Sequence, residues 1–168
     1  MKALPFILVL VSTPADAQSP LVETYRAPPD ACVARAERSA ELDACRSLLS
    51  DACMAGEPQG QTTTGMAMCL QAELLFWDER LNAEYRATVA NLRRIDESDR
   101  AYNPEYAVRE ERLRDAQRAW IVFRDADCAV DHALHGGGSM RSIMAPSCLA
   151  RRTFDRVKDL IHLRELMH

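Results

Sequence analysis

The sequence predicts an all-α protein: a small disulfide-stapled helical bundle with three longer helices and short helices ahead of them. Apolar residues recur at steps of three and four through the second half of the 168-residue chain, and no stretch of comparable length alternates with period two. Six cysteines are distributed without any C-x-x-C pair, which suits structural crosslinks better than a zinc cluster or a thioredoxin-like redox motif.

The first residues, MKALPFILVLVSTPADA, combine one positive charge at Lys2, an apolar run and the triplet Ala15-Asp16-Ala17. That is the layout of a cleaved secretory signal over residues 1–17, with a run too short to span a bilayer. Cleavage there leaves a chain starting at Gln18, with no cysteine next to the cut to carry a lipid anchor. No membrane span is expected further on, so the reading is a periplasmic or secreted protein. The formal net charge of -4 is a poor match for phosphate backbones and sets nucleic acid aside.

Residues 18–29 hold three prolines and read as an extended N-terminal arm. Residues 30–55 read as a short disulfide-tied helical segment, with Asp30 capping one helix to about Arg38 and Ser39 capping a second from Ala40 to about Cys53. The remaining residues, 56–168, form the main helical domain. It opens with a Gly-, Pro- and Thr-rich loop, 56–65. From Met66 to about Arg94 a long helix places Leu70, Leu74, Trp77, Leu81, Tyr85, Thr88, Leu92 and Ile95 on one face. Charged positions around its end, among them Arg93, Arg94, Asp96, Glu97 and Asp99, read as a solvated helix end and turn.

Asn103 ahead of Pro104 marks the start of the next helix. Its inward positions are expected to be Leu113, Ala116, Trp120, Phe123, Val130 and Leu134, and Glu105 with Arg109 and Glu110 with Arg114 stand four apart on its solvated side. Gly136, Gly137 and Gly138 end it. A last helix from about Ser147 to Leu166 turns Leu149, Thr153, Val157, Leu160 and Leu163 inward.

An even number of cysteines in an exported chain reads as a disulfide framework. Six cysteines allow 15 pairings. Sequential neighbours are favoured, Cys32 with Cys45, Cys53 with Cys69 and Cys128 with Cys148, because each closes a loop short enough to staple one turn between helices. Each bridge contributes roughly 3 kcal/mol on the chain-entropy estimate.

The stretch AQRAWIVFRDADC, residues 116–128, puts Gln117, Ile121, Arg124 and Cys128 on one helical stripe beside Ala116, Trp120 and Phe123. A bridged Cys128 faces inward, so Arg124 one turn earlier points into the same seam. A half-buried guanidinium needs a carboxylate. Arg124 or Arg118 is therefore expected to meet Asp78 and Asn82 across an antiparallel helix pair.

These residues also carry a resemblance. CLQAELLFWDERLNAEYRATVANL, then LRDAQRAWIVFRDADC, a Gly-rich loop and a cysteine before a Thr-containing last helix resemble the LprI-type lysozyme inhibitor domain, formerly a domain of unknown function, over about residues 53–166. The matching positions are Cys69, Glu73, Asp78, Leu81, Asn82, Tyr85, Gln117, Arg118, Trp120, Phe123, Arg124, Asp125, Cys128, Cys148 and Thr153. Cys32 and Cys45 lie in an added N-terminal segment outside that pattern. The resemblance implies a non-catalytic protein that binds and inhibits lysozyme or another cell-wall hydrolase, the alternative being an envelope module that binds a protein or cell-wall fragment without inhibiting it.

An acidic surface would draw in a cationic enzyme. The segment chosen for contact is His135, Gly136, Gly137, Gly138 and Ser139, whose glycines could let backbone enter a cleft; the plainer reading is that they only turn the chain. His132 and His135 beside Asp131 lack further ligand spacing, so no metal is expected, and no cofactor. Trp77, Trp120, Phe76 and Phe123 read as core rather than as a sugar platform. Glu73 and Asp78 stand about 140 degrees apart around a helix, which does not suit a carboxylate pair for glycoside cleavage. No Ser-His-Asp or Cys-His set is evident, so an enzyme is not expected. The oligomeric state is left open.

Overall fold

The structure is a computed structural model that describes residues 19–167; the leader reading of residues 1–17 lies outside them. Six α-helices follow one another: α1 (Pro20–Tyr25), α2 (Ala27–Arg35), α3 (Leu48–Gly56), α4 (Thr63–Asp99), α5 (Arg109–Leu134) and α6 (Arg141–Glu165). Two 3-10 helices, Ser39–Cys45 and Pro104–Tyr106, precede α3 and α5. Among the described residues there is no strand, and no helix is long and apolar enough to cross a membrane.

Helices α4 and α6 form the backbone of the bundle and pack along much of their length; α5 leans on α6 and touches α4 less. Their shared core centres on Trp77, whose ring meets Phe76 and Phe154 edge-on at centroid distances of 5.0 and 4.8 Å. Val157 and Leu160 extend the core along α6, and Leu81, Val89 and Leu92 along α4. Burying each such aliphatic side chain stabilises the fold by about 1.5–3 kcal/mol. Val22, Cys32, Leu42, Cys45 and Leu49 belong to the same cluster, so the N-terminal helices close one end of a single core.

All three disulfides join sequential neighbours: Cys32–Cys45, Cys53–Cys69 and Cys128–Cys148. Gly65 makes the second possible locally. A side chain there would meet the Gln59 carbonyl oxygen at 1.9 Å, so only glycine lets the loop 57–62 fold back over the start of α4. Thr62 caps α4, its Oγ1 accepting from the Gly65 N–H at 3.1 Å.

Several boundaries differ from those read in the sequence. The stretch read as an extended arm, residues 18–29, is largely helical from residue 20 on: Pro20 starts α1, and Pro28 and Pro29 fall in the first turn of α2, where a missing N–H removes no helical bond. Asp30 lies inside α2 and pairs with Arg26 and Arg80 instead of capping. The helix expected from Ala40 to Cys53 is broken at Ser47, which takes a left-handed backbone conformation between the 3-10 helix and α3. Helix α4 runs on to Asp99, because residues 95–99 contain no Gly or Pro and Asp96 is held by the start of α5. Pro104 opens a 3-10 turn and α5 begins at Arg109, so Glu105 and Arg109 do not form a helical pair; Arg109 reaches Asp96 and Asp99. Helix α6 starts at Arg141 and accommodates Pro146 in its second turn, earlier than expected.

Candidate functional site

Of the motif residues, Gln117, Trp120, Arg124 and Thr153 come together where α5 meets α6, with Asp78 of α4 at the edge, while Glu73 serves another junction. Glu73 is buried on α4, accepting hydrogen bonds from the backbone N–H groups of Ser47 (3.2 Å) and Ser50 (2.8 Å) and from the Trp77 indole. It thereby caps α3, whose own first residues offer no capping side chain. Burial pushes its carboxyl above the ordinary range, outweighing these donors. Asp78 stands on another face of α4 and takes the Asn82 amide at 3.1 Å. The two carboxylates thus serve different neighbours.

Arg124 is 16% exposed and does lie in the expected seam, but its partners are spread. It donates to Thr153 Oγ1 on α6 at 3.4 Å and to Asp125 at 2.9 Å, and stacks 5.1 Å from the Trp120 ring centre. Asp78 is 3.9 Å away, at the outer limit of an ion pair. Gln117 is buried and accepts from Arg156 Nε at 3.0 Å. Arg156, which the sequence reading missed, is 14% exposed and also faces Trp120, 5.9 Å from its ring centre. Its burial lowers its affinity for a proton. The signal was present: residues 152 and 156 repeat the helical step from Cys148. Tyr85 is half-buried against the core.

Arg118 does not join this seam. Its side chain is 71% exposed and pairs with Asp115 on its own helix. Asn82 is likewise exposed and reaches no arginine. The rotation of α5 explains both. The bridge to Cys148 and contacts of Leu113, Gln117 and Trp120 fix its inner face, which turns Ala116, Phe123, Val130 and Leu134 outward instead of inward. Asp96, read as part of a solvated helix end, is buried and accepts from the Glu110 N–H at 2.9 Å and Arg109 at 3.1 Å, so it caps α5.

The loop between α5 and α6 is exposed, as is the connection between α4 and α5. Gly136 has φ +50°, which ends α5, and a side chain added at Gly136 or Gly137 would meet open space. Gly136, Gly137, Gly138, Ser139 and Met140 are exposed. His135 is half-buried and its Nδ1–H donates to the Asp131 carbonyl at 2.8 Å, which anchors the loop at one end; Ser142 Oγ donates to the Ser139 carbonyl at 2.7 Å at the other. Beneath it the Cys128–Cys148 bridge joins the flanking helices, beside a shallow groove lined by Asp125, Ala129, His132, Ala145 and Leu149. The loop is therefore a short exposed element on a crosslinked base. Asp127 sits close to the bridged Cys128 and Cys148 sulfurs, and both thiols are consumed in the disulfide.

Motif side chains spent on one another, three crosslinks and a protruding glycine turn define a disulfide-stapled helical domain. The chain belongs to the lysozyme inhibitor LprI family, whose pattern matches residues 53–160. It is also 35% identical over 98 residues to an uncharacterized protein of Rhizobium meliloti (strain 1021), an alignment covering 58% of this chain and 70% of that protein. No solved structure matches the chain.

Proposed function

We propose that this protein is exported to an oxidising compartment, the periplasm or the exterior, and there binds and inhibits a lysozyme-type peptidoglycan hydrolase without chemistry of its own. Family membership carries the reading. Three supports stand beside it. The thiols are all paired, as in proteins that work outside the reducing cytosol. The chain is acidic, which favours encounter with a cationic lysozyme. The turn of His135, Gly136, Gly137, Gly138 and Ser139 offers exposed backbone, and the Cys128–Cys148 bridge fixes the two helices that flank it.

A cell-wall turbidity assay tests the proposal. Purified protein is expected to slow clearing by a cationic lysozyme in a dose-dependent way, less so at high salt. Gly137→Trp, which meets open space in the free protein, is expected to abolish the slowing while leaving the melting temperature unchanged. No effect of the unaltered protein at micromolar concentration ends the inhibitor reading for that enzyme. Slowing that survives in the Gly137→Trp variant moves the contact away from this turn.

A further inference from the structure

Helix α5 has two faces, and the bundle packs on one of them; at the edge of the other, the Arg152 guanidinium of α6 reaches the Phe123 ring, 5.5 Å from its centre. The inner face carries Leu113, Gln117, Trp120, Arg124 and Cys128. The outer face, from Ala119 to Ala133, repeats small and apolar residues every three or four positions: Ala119, Val122, Phe123, Ala126, Val130 and Ala133 are all exposed. Val122 is 71% exposed, and Leu134 just beyond is 75% exposed. About four turns of helix thus present no charge along their centre line. Ala119, Ala126 and Ala133 fall seven residues apart, leaving a shallow seam in which another helix can approach closely, with Val122, Phe123 and Val130 beside it. Soluble monomers rarely leave such a continuous strip facing water.

The charges along its edge say what covers it. At 100 degrees per residue, Arg118 and Asp125 lie on the same flank of the strip, two turns apart and of opposite sign. Both are exposed and held only by residues of α5 itself, Asp115 and Arg124, in surface pairs that contribute little. A second α5 laid antiparallel across the strip brings Arg118 of one copy to Asp125 of the other and, by two-fold symmetry, repeats the contact reciprocally. A parallel two-fold pairing would set this flank against the opposite one, so that Arg118 and Asp125 do not meet across the interface. The opposite flank, with Phe123 and Leu134, adds apolar contact.

We propose that two copies of this protein associate through the outer faces of α5 in an antiparallel, two-fold pair. One helix per partner is a small interface, so the association is a weak, concentration-dependent one. It lies on the helix, ending next to the turn assigned to enzyme contact, and does not depend on that assignment.

Sedimentation velocity at roughly 100 µM protein, a range suited to an interface of this size, is expected to show a monomer–dimer equilibrium. Val122→Glu is expected to give monomer alone, with unchanged helical circular dichroism and melting temperature. Arg118→Asp and Asp125→Arg each set like charges across the pair and are expected to be monomeric. Mixed together they restore both opposite-sign contacts, and the mixture is expected to dimerise although neither variant does alone. Monomer throughout for the unaltered protein overturns the proposal, as does a dimer that persists in Val122→Glu. A mixture no more associated than its parts overturns the antiparallel register.

Discussion

Three carboxylates do the work of capping at a distance. Glu73 takes the first N–H groups of α3, Asp96 those of α5, and Glu165 the Ser39 N–H at 2.6 Å and its hydroxyl at 3.0 Å where the first 3-10 helix begins. In each case the element's own preceding residue contributes no capping side chain. Orphan N–H groups and a positive dipole end both favour an anion there. Glu73 is the most buried of these sites together with Asp96. Glu73→Ala strands two N–H groups and an indole in the core and is expected to destabilise by about 3 kcal/mol or more in chemical denaturation. Glu73→Gln, which keeps one acceptor, is expected to lose less. Because burial raises the Glu73 carboxyl, its contribution is present below about 4.5 and declines as pH rises through the folded value. The gap between wild type and Glu73→Gln is therefore expected to narrow on going up in pH from that point.

Elements were legible where the chain's local chemistry decides them, and not where a remote residue does. The apolar step of α4, the glycine stop of α5 and the three sequential bridges follow from spacing alone. The start of α5 does not. Asn103 and Pro104 form a good local signal, yet the helix begins five residues later because Asp96 supplies the cap from the end of α4. The face of α5 was misread for a related reason. Counting apolar residues favours Phe123 and Val130, whereas the disulfide and the Gln117–Arg156 hydrogen bond turn the polar motif stripe inward. Of the seam, Arg124 was legible from its place one turn before Cys128; the exposure of Arg118 was legible too, since it stands six residues from Arg124 and about 120 degrees away around the helix. At this scale Asp96→Ala is expected to fray the first turn of α5. Amide hydrogen exchange should show faster exchange at residues 109–112, with protection near Cys128 retained. Unchanged protection at 109–112 would mean that helix start is held by other contacts.

The whole molecule is an assembly of paired charges around one core. Arg93 and Arg114 hold the Glu110 carboxyl down at about 2, and the Ser39 N–H holds Glu165 below its usual value. Lys158 does the same for Asp43, which ties the first 3-10 helix to α6. Groups with a depressed folded value add stability above their unfolded value near 4.5, and that stability is lost as pH falls through the folded one. Glu73 acts in the opposite sense but is a single group. The melting temperature is therefore expected to fall steadily between pH 4.5 and about 2, with the disulfides intact; a flat profile over that range would show these pairs to be energetically idle.

The bond from Ser39 to Glu165 spans 126 positions of sequence. The carboxylate that seats the helix between Cys32 and Cys45 thus comes from the last residue of α6, so the start of the chain is completed by its end. A truncation that removes Glu165 strips the Ser39 N–H and hydroxyl of their acceptor and leaves the first 3-10 helix moored to α6 through Lys158 and Asp43 alone among its own ion pairs to that helix.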